Sequence, residues 1–240
     1  MNVFVKPVLV LAVSALCALN VQAQEAVTSE LDSCISSEKL GNTAKGAVTG
    51  AVTGLLGSIL SGKKDHMAKA VVVGAVAGGA IGYATAHYKA AGNCMQKNPS
   101  WVPESQLQRN PNFDAVVNEF GYKPENGDFV VLRKLQMPTH VKAGSPLNVQ
   151  SAFVVLTPDG GEAKVRMVRK LFVIADNKQE EVPFYGKGDE QRVVENGEHY
   201  DSISLPVDKA VPAGSRLKLE YWVAVKDQPF VAESAIVEVQ

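Results

Sequence analysis

Glycine recurs at every fourth position twice in this chain. Gly46, Gly50 and Gly54 form one ladder, and Gly74, Gly78 and Gly82 form another. A spacing of four puts each set on one face of a helix. Glycine in a water-exposed helix costs about 1 kcal/mol per residue relative to alanine. Such helices persist where a second backbone packs closely against the bare face. The pattern predicts a first leg over residues 43–60 and a second over 66–89, broken at Gly62-Lys63-Lys64-Asp65 and folded into an antiparallel hairpin. Gly46 to Gly62 and Ala70 to Ala86 each run 17 residues without a charge. At 1.5 Å per residue each spans roughly 25 Å, the thin end of a bilayer crossing. Insertion would leave Lys63, Lys64 and Lys69 on the cytoplasmic side, as the positive-inside rule requires. The alternative is a closely packed soluble hairpin, stacked with other copies.

The N-terminus has the pattern of an export signal. Lys6 supplies the positive start, Val8 to Leu19 the apolar core, and Val21-Gln22-Ala23 the small-residue cleavage site. Cleavage after Ala23 is expected. It removes Cys17, whose preceding Leu16 is in any case larger than lipidation favours. Two cysteines then remain, Cys34 and Cys94. An exported chain with an even number is expected to pair them. Their midpoint falls in the break between the legs, so a disulfide would clamp the open end of the hairpin. No histidine pair accompanies the two thiols to make a zinc site.

The GxxxGxxxG runs at Gly46, Gly50, Gly54 and at Gly74, Gly78, Gly82, with Gly79 alongside, resemble the glycine-zipper domains of bacterial envelope proteins. Relatives of the rickettsial 17 kDa surface antigen are among these. The resemblance covers residues 41–90 and implies an envelope location with a structural or membrane-associated role. One motif in the same region is excluded. Gly57 to Lys63 fits the first seven positions of a phosphate-binding loop, but Lys64 stands where a Ser or Thr hydroxyl should reach magnesium. No nucleotide is expected. A formal net charge of -1, with charged residues at 20% and neither sign dominant, gives no footprint for nucleic acid.

From Ala91 to Gly127 proline, asparagine and glutamine become frequent, as in a surface connector. Phe113 to Phe120 is expected as its one helix, capped by Asn112 and stopped by Gly121. Trp101, Phe113, Phe120 and Tyr122 are expected to tack the connector onto the C-terminal domain. After Gly127 the period becomes two. Phe129, Val131, Leu135 and Met137 are expected on one face. Leu147, Val149, Ser151, Phe153 and Val155 alternate, as do Val165, Met167, Leu171 and Val173, with Lys164, Arg166 and Lys170 opposite. Pro183 interrupts a short edge strand over Glu181 to Tyr185. Ile203, Leu205 and Val207 alternate, then Leu217, Leu219, Tyr221, Val223 and Val225. Seven or eight strands with no helical crossover predict a two-sheet antiparallel sandwich. Val141 to Val149 and Val211 to Leu219 resemble strands of bacterial immunoglobulin-like domains, a fold-level likeness that implies no activity.

The expected architecture is α+β in separate modules. It comprises a signal peptide over 1–23, a helical hairpin over 24–94 closed by Cys34–Cys94, a linker over 95–127 and an immunoglobulin-like β-sandwich over 128–240. His140 and His199 sit in no catalytic or metal motif. Glu180, Glu181, Asp189 and Glu190 read as a solvated acidic loop rather than a calcium site. No catalytic residue, metal or cofactor is expected. The expected role is that of a non-enzymatic envelope protein in the periplasm or at the cell surface. The hairpin would associate with the membrane or with itself, and the sandwich would meet a protein partner or a surface. Two alternatives stand beside it: a soluble secreted module binding peptide or glycan, and a hydrolase whose site is assembled from distant loops.

Overall fold

The computed structural model describes residues 29–39, 82, 84–175 and 178–240. The expected export signal, the turn expected at Asp176-Asn177 and five ladder glycines (Gly46, Gly50, Gly54, Gly74 and Gly78) lie outside the described residues. Helix α1 covers residues 29–39 and α2 covers 84–97. In α1, Leu31, Cys34 and Ile35 make the apolar stripe at helical spacing. Helix α2 is buried on most of its circumference, and Lys89, Asn93, Gln96 and Lys97 form its wet edge.

Ten strands follow among the described residues: β1 (Gln106–Asn110), β2 (Phe129–Gln136), β3 (His140–Val141), β4 (Pro146–Leu156), β5 (Ala163–Ala175), β6 (Lys178–Val182), β7 (Asp189–Val194), β8 (Gly197–Pro206), β9 (Arg216–Val225) and β10 (Val231–Val239). They make two open sheets. One has the order β1-β8-β4-β2. The other runs β3-β10-β9-β5-β6, with β7 also on β5. Because β9 takes one full side of β5, β6 and β7 share the other side in tandem. The pairing is antiparallel except between β3 and β10, which run parallel over two residues, contrary to the all-antiparallel expectation. β1 lies in the stretch expected to be linker, and it pairs along β8 from Gln106↔Ser202 to Asn110↔Glu198.

The inward faces build two apolar clusters, one at each end. β5 shows its logic most clearly, with every odd residue from Ala163 to Ala175 buried. Leu171, Val173, Leu217 and Leu219 at one end meet Leu147, Leu205 and Val207 across the gap. Val165, Met167, Tyr221 and Val223 at the other end meet Phe153 and Val155. Each such side chain stabilises the fold by about 1.5–3 kcal/mol when fully buried.

One strand departs from its expected phase. A register shift falls between Leu132 and Lys134 in β2. The extra residue, Arg133, is a bulge, and it reverses the faces on either side of it. Phe129 and Val131 therefore face outward, packed with Val154, Leu156 and helix α3 (Phe113–Phe120), whereas Leu135 and Met137 face the inter-sheet core. The four do not share one face. Helix α3 has the expected bounds, and Gly121 ends it in the left-handed conformation at φ 56°. Asn112 does not cap it through its side chain. That amide donates instead to Glu198 Oε2 at 3.0 Å.

Candidate functional site at the helix-sheet junction

The two helices are not held apart from the sheets. Cys34 and Cys94 form a disulfide joining α1 to α2. Leu31, Ile35, Ala84, Tyr88, Ala91 and Met95 enter the same core as Leu171, Leu205, Leu217 and Val239. Tyr88 is fully buried, and its hydroxyl donates to Pro206 O at the end of β8 at 3.1 Å. Burial, and then the Asp208 carboxylate, push its pKa up. Gly92 on α2 seats directly on Pro183. A Cβ built there would lie 2.7 Å from the proline Cβ. Tyr185, in the same β6–β7 connection, is pushed up to about 12 by burial and by the Asp32 carboxylate of α1.

A polar cluster locks this packing. Asp208, just beyond β8, receives Lys39 Nζ of α1 at 2.7 Å. His87 Nδ1 of α2 lies 2.9 Å from the same carboxylate oxygen. The close approach of His87 holds the Asp208 carboxyl far below the usual range; burial opposes it, and Lys39 and the Ala210 N–H reinforce it. One carboxylate from the sheets thus ties down both helices.

A second cluster lies beneath the strap that leaves α2. Arg169 occupies an inward position of β5, where the gap between β6 and β7 opens, and its side chain is 1% exposed. Its Nε and Nη2 donate to Asp201 Oδ2 of β8 at 3.2 and 2.5 Å. Nη2 also reaches Glu190 at 2.9 Å and Ser105 Oγ at 3.1 Å, while Nη1 donates to Lys187 O. Tyr221 of β9 donates its hydroxyl to the same Asp201 oxygen at 2.9 Å. Burial works against the guanidinium charge, but Asp201, Tyr221 and Glu190 together hold its pKa above the ordinary value. Arg192 Nη2 donates to Ser105 O, and Lys187 pairs with Glu104 at 2.6 Å. These bonds stitch residues 104–105 down over the buried arginine.

Of the ladder glycines, Gly82 is described. It is helical and exposed, and a Cβ there would meet nothing within 4 Å. His199 is buried, stacked on Phe153 at 5.3 Å, with Nε2 at 2.8 Å from Glu195 O. Burial lowers its pKa. His140 stands exposed on β3 in the other sheet. Three of the acidic-loop residues face cations: Glu180 pairs with Lys89, Asp189 with Arg166, and Glu190 with Arg169 and Arg192. No cluster of metal-ligating side chains occurs among the described residues. The junction holds charges against each other and couples elements. Neither His87 nor Asp208 stood out in the sequence, and nothing there joined Arg169 to Asp201. Arg169 did carry a usable signal, since it breaks the run Val165, Met167, Leu171, Val173 at an inward position of β5.

A family model described as YMGG-like Gly-zipper matches residues 6–90. The match gives this part of the chain the general membrane and envelope association of glycine-zipper sequences. It reaches α1 and the first residues of α2 but not the sheets. Among the described residues no helix is long and apolar enough to cross a membrane. No curated protein matches the chain. Several solved structures show a loose likeness. A β-glucosidase from Listeria innocua in complex with gluconolactone is 15% identical with a TM-score of 0.30, over 47% of this chain and 16% of that one. A CARDB domain from Pyrococcus furiosus is 7% identical with a TM-score of 0.32, over 47% of this chain and 94% of that one. The alkylpurine DNA glycosylase AlkC of Pseudomonas fluorescens, bound to DNA containing an abasic site analog, is 8% identical with a TM-score of 0.34, over 74% of this chain and 52% of that one. This chain thus spans a small fraction of the β-glucosidase, and at these scores none of the likenesses bears on function.

Proposed function

We propose that this chain is a non-enzymatic envelope protein. Its glycine zipper associates with a membrane or with further copies, and its β region is an immunoglobulin-like sandwich that presents a binding surface in the periplasm or outside the cell. The observation that carries this reading is the junction. The stems on either side of the zipper are disulfide-linked and packed into the β core. A flexible tether would need none of this. A packed, covalently closed base suits a zipper that must hold the β region at a fixed attitude.

The test is fractionation of the exported chain with carbonate and detergent, beside a variant lacking residues 42–81 that keeps both stems. Detergent dependence of the full chain and solubility of the deletion are expected. Gly50→Leu with Gly78→Leu should then change the oligomeric state or the extraction behaviour by crowding the bare faces. If neither moves, the ladders are not the contact surface.

A second reading draws on the same packing. Helices that share a core with the sheets also suit a soluble secreted module for peptide or glycan, its zipper folded against protein. Extraction by salt alone would favour it.

A further inference from the structure

The outward face of the four-stranded sheet differs from the rest of the surface. Charged residues are 20% of the chain, yet the part of this face that lies beyond helix α3 and the Glu198–Arg133 pair is built mainly from amides and hydroxyls. Register aligns Gln106, Ser202, Gln150 and Gln136 in one row across all four strands. The next row holds Gln108, Tyr200, Ala152 and Lys134, and on the other side Ser204 stands beside Asn148. No carboxylate occurs in these rows, and Lys134, on the edge strand β2, is their one charge. The four glutamines are exposed, and their side chains hydrogen-bond to no described residue. Tyr200 is 45% exposed. Its cross-strand neighbour Ala152 is too short to cover the ring.

Primary amides carry donors and an acceptor together. A grid of them suits a ligand that offers both at regular intervals and bears no charge. An anionic polymer would call for rows of lysine and arginine. The centre of a protein interface is enriched in aromatics, methionine and arginine rather than in glutamine and serine. Neighbouring strands lie about 4.8 Å apart, a spacing comparable to the repeat of an extended hexopyranose chain. An exposed tyrosine ring supplies the flat apolar surface that a sugar's C–H face covers.

We propose that this face binds a neutral glycan lying across the strands, with the row from Gln106 to Gln136 on its hydroxyls and Tyr200 against one sugar ring. This deepens the reading of the β region as the binding part and rests on that reading, not on the fate of the zipper.

The experiment is a calorimetric titration of the full exported chain with soluble N-acetylglucosamine oligomers and cellulose oligomers, with heparin as the anionic control. At least one neutral oligomer is expected to bind, equally at low and high salt. Gln150→Ala with Tyr200→Ala should weaken it about tenfold or more. Gln150→Glu serves as a second variant that places a charge mid-row and should also weaken binding, with thermal unfolding unchanged in both because the positions are exposed. No binding of any neutral oligomer, a salt-sensitive preference for heparin, or full binding by both variants overturns the proposal. So does self-association through this face, seen as a change of sedimentation in the variants. Glycan binding that persists when the fractionation test fails removes only the zipper reading, and the reverse result removes only the glycan site.

Discussion

Arg169 shows how much one residue can hold. It sits where a hydrocarbon would ordinarily pack, and its charge is matched by Asp201 and Glu190. Removing one partner of a buried pair leaves the other desolvated and uncompensated, which costs about 3–5 kcal/mol. Arg169→Ala should therefore lower the urea midpoint sharply. Arg169→Met with Asp201→Leu should recover much of the loss, because the buried Asp201 charge goes with the arginine and Glu190 keeps its pair with Arg192. Recovery that fails would assign the cluster a role beyond charge matching. Gly92 gives a prediction of opposite sign to helix propensity. Alanine should favour the helix by about 1 kcal/mol, but its methyl would lie 2.7 Å from the Pro183 ring. Overpacking of this kind costs about 1–3 kcal/mol, so Gly92→Ala is expected to lower Tm, checked by calorimetry. A rise would mean that the loop after β6 yields freely. The sequence showed the apolar neighbours of Arg169, whereas Gly92 fell in the stretch expected to be a surface connector and lies instead in α2. The sequence did not show that the arginine's partner would come from another sheet, because pairing across a core depends on register, not on neighbouring sequence.

Among the elements, legibility followed local chemistry. Helix α3 was readable from Asn112 to Gly121 because a turn-compatible start and a left-handed glycine stop are local signals. The Cys34–Cys94 disulfide was readable from compartment and count. β1 was not, since Gln106-Leu107-Gln108-Arg109-Asn110 has no apolar alternation. An edge strand with one sheet face to water does not require it. The bulge at Arg133 was hidden for a different reason: a single extra residue inverts phase without altering composition. Arg133 instead reaches toward Glu119 of α3 and to Glu198, buried on β8, at 3.1 Å. The helix pair makes its own prediction through Asp208. Its folded pKa lies below the unfolded value of about 4. Its contribution is then complete above that value and is lost as pH falls below it. The stability gap between the parent chain and Asp208→Asn should narrow as pH drops below about 4, read from denaturant melts across the acid range. A constant gap would mean that Lys39 and His87 do not hold the carboxylate.

At the scale of the whole molecule, α helices and open β sheets form one packed body around a shared core. That the chain combines helices with a β-rich part was legible from the change of period at Gly127. The docking of α1 and α2 onto the sheets was not, because the stripe of Leu31 and Ile35 names a buried face without naming what buries it. The disulfide has a topological consequence. Cys34 and Cys94 are 60 positions apart, so the chain between them closes into a covalent ring that contains both ladders. A single cut anywhere in that ring opens it and frees nothing. Limited proteolysis of the exported chain should therefore leave one band on a non-reducing gel and two after reduction. Two bands without reductant would show a second cut or an open ring. If lipid or a neighbouring copy shields the ring, its cleavage rate becomes a reporter of that occupancy in intact envelopes, legible without any label.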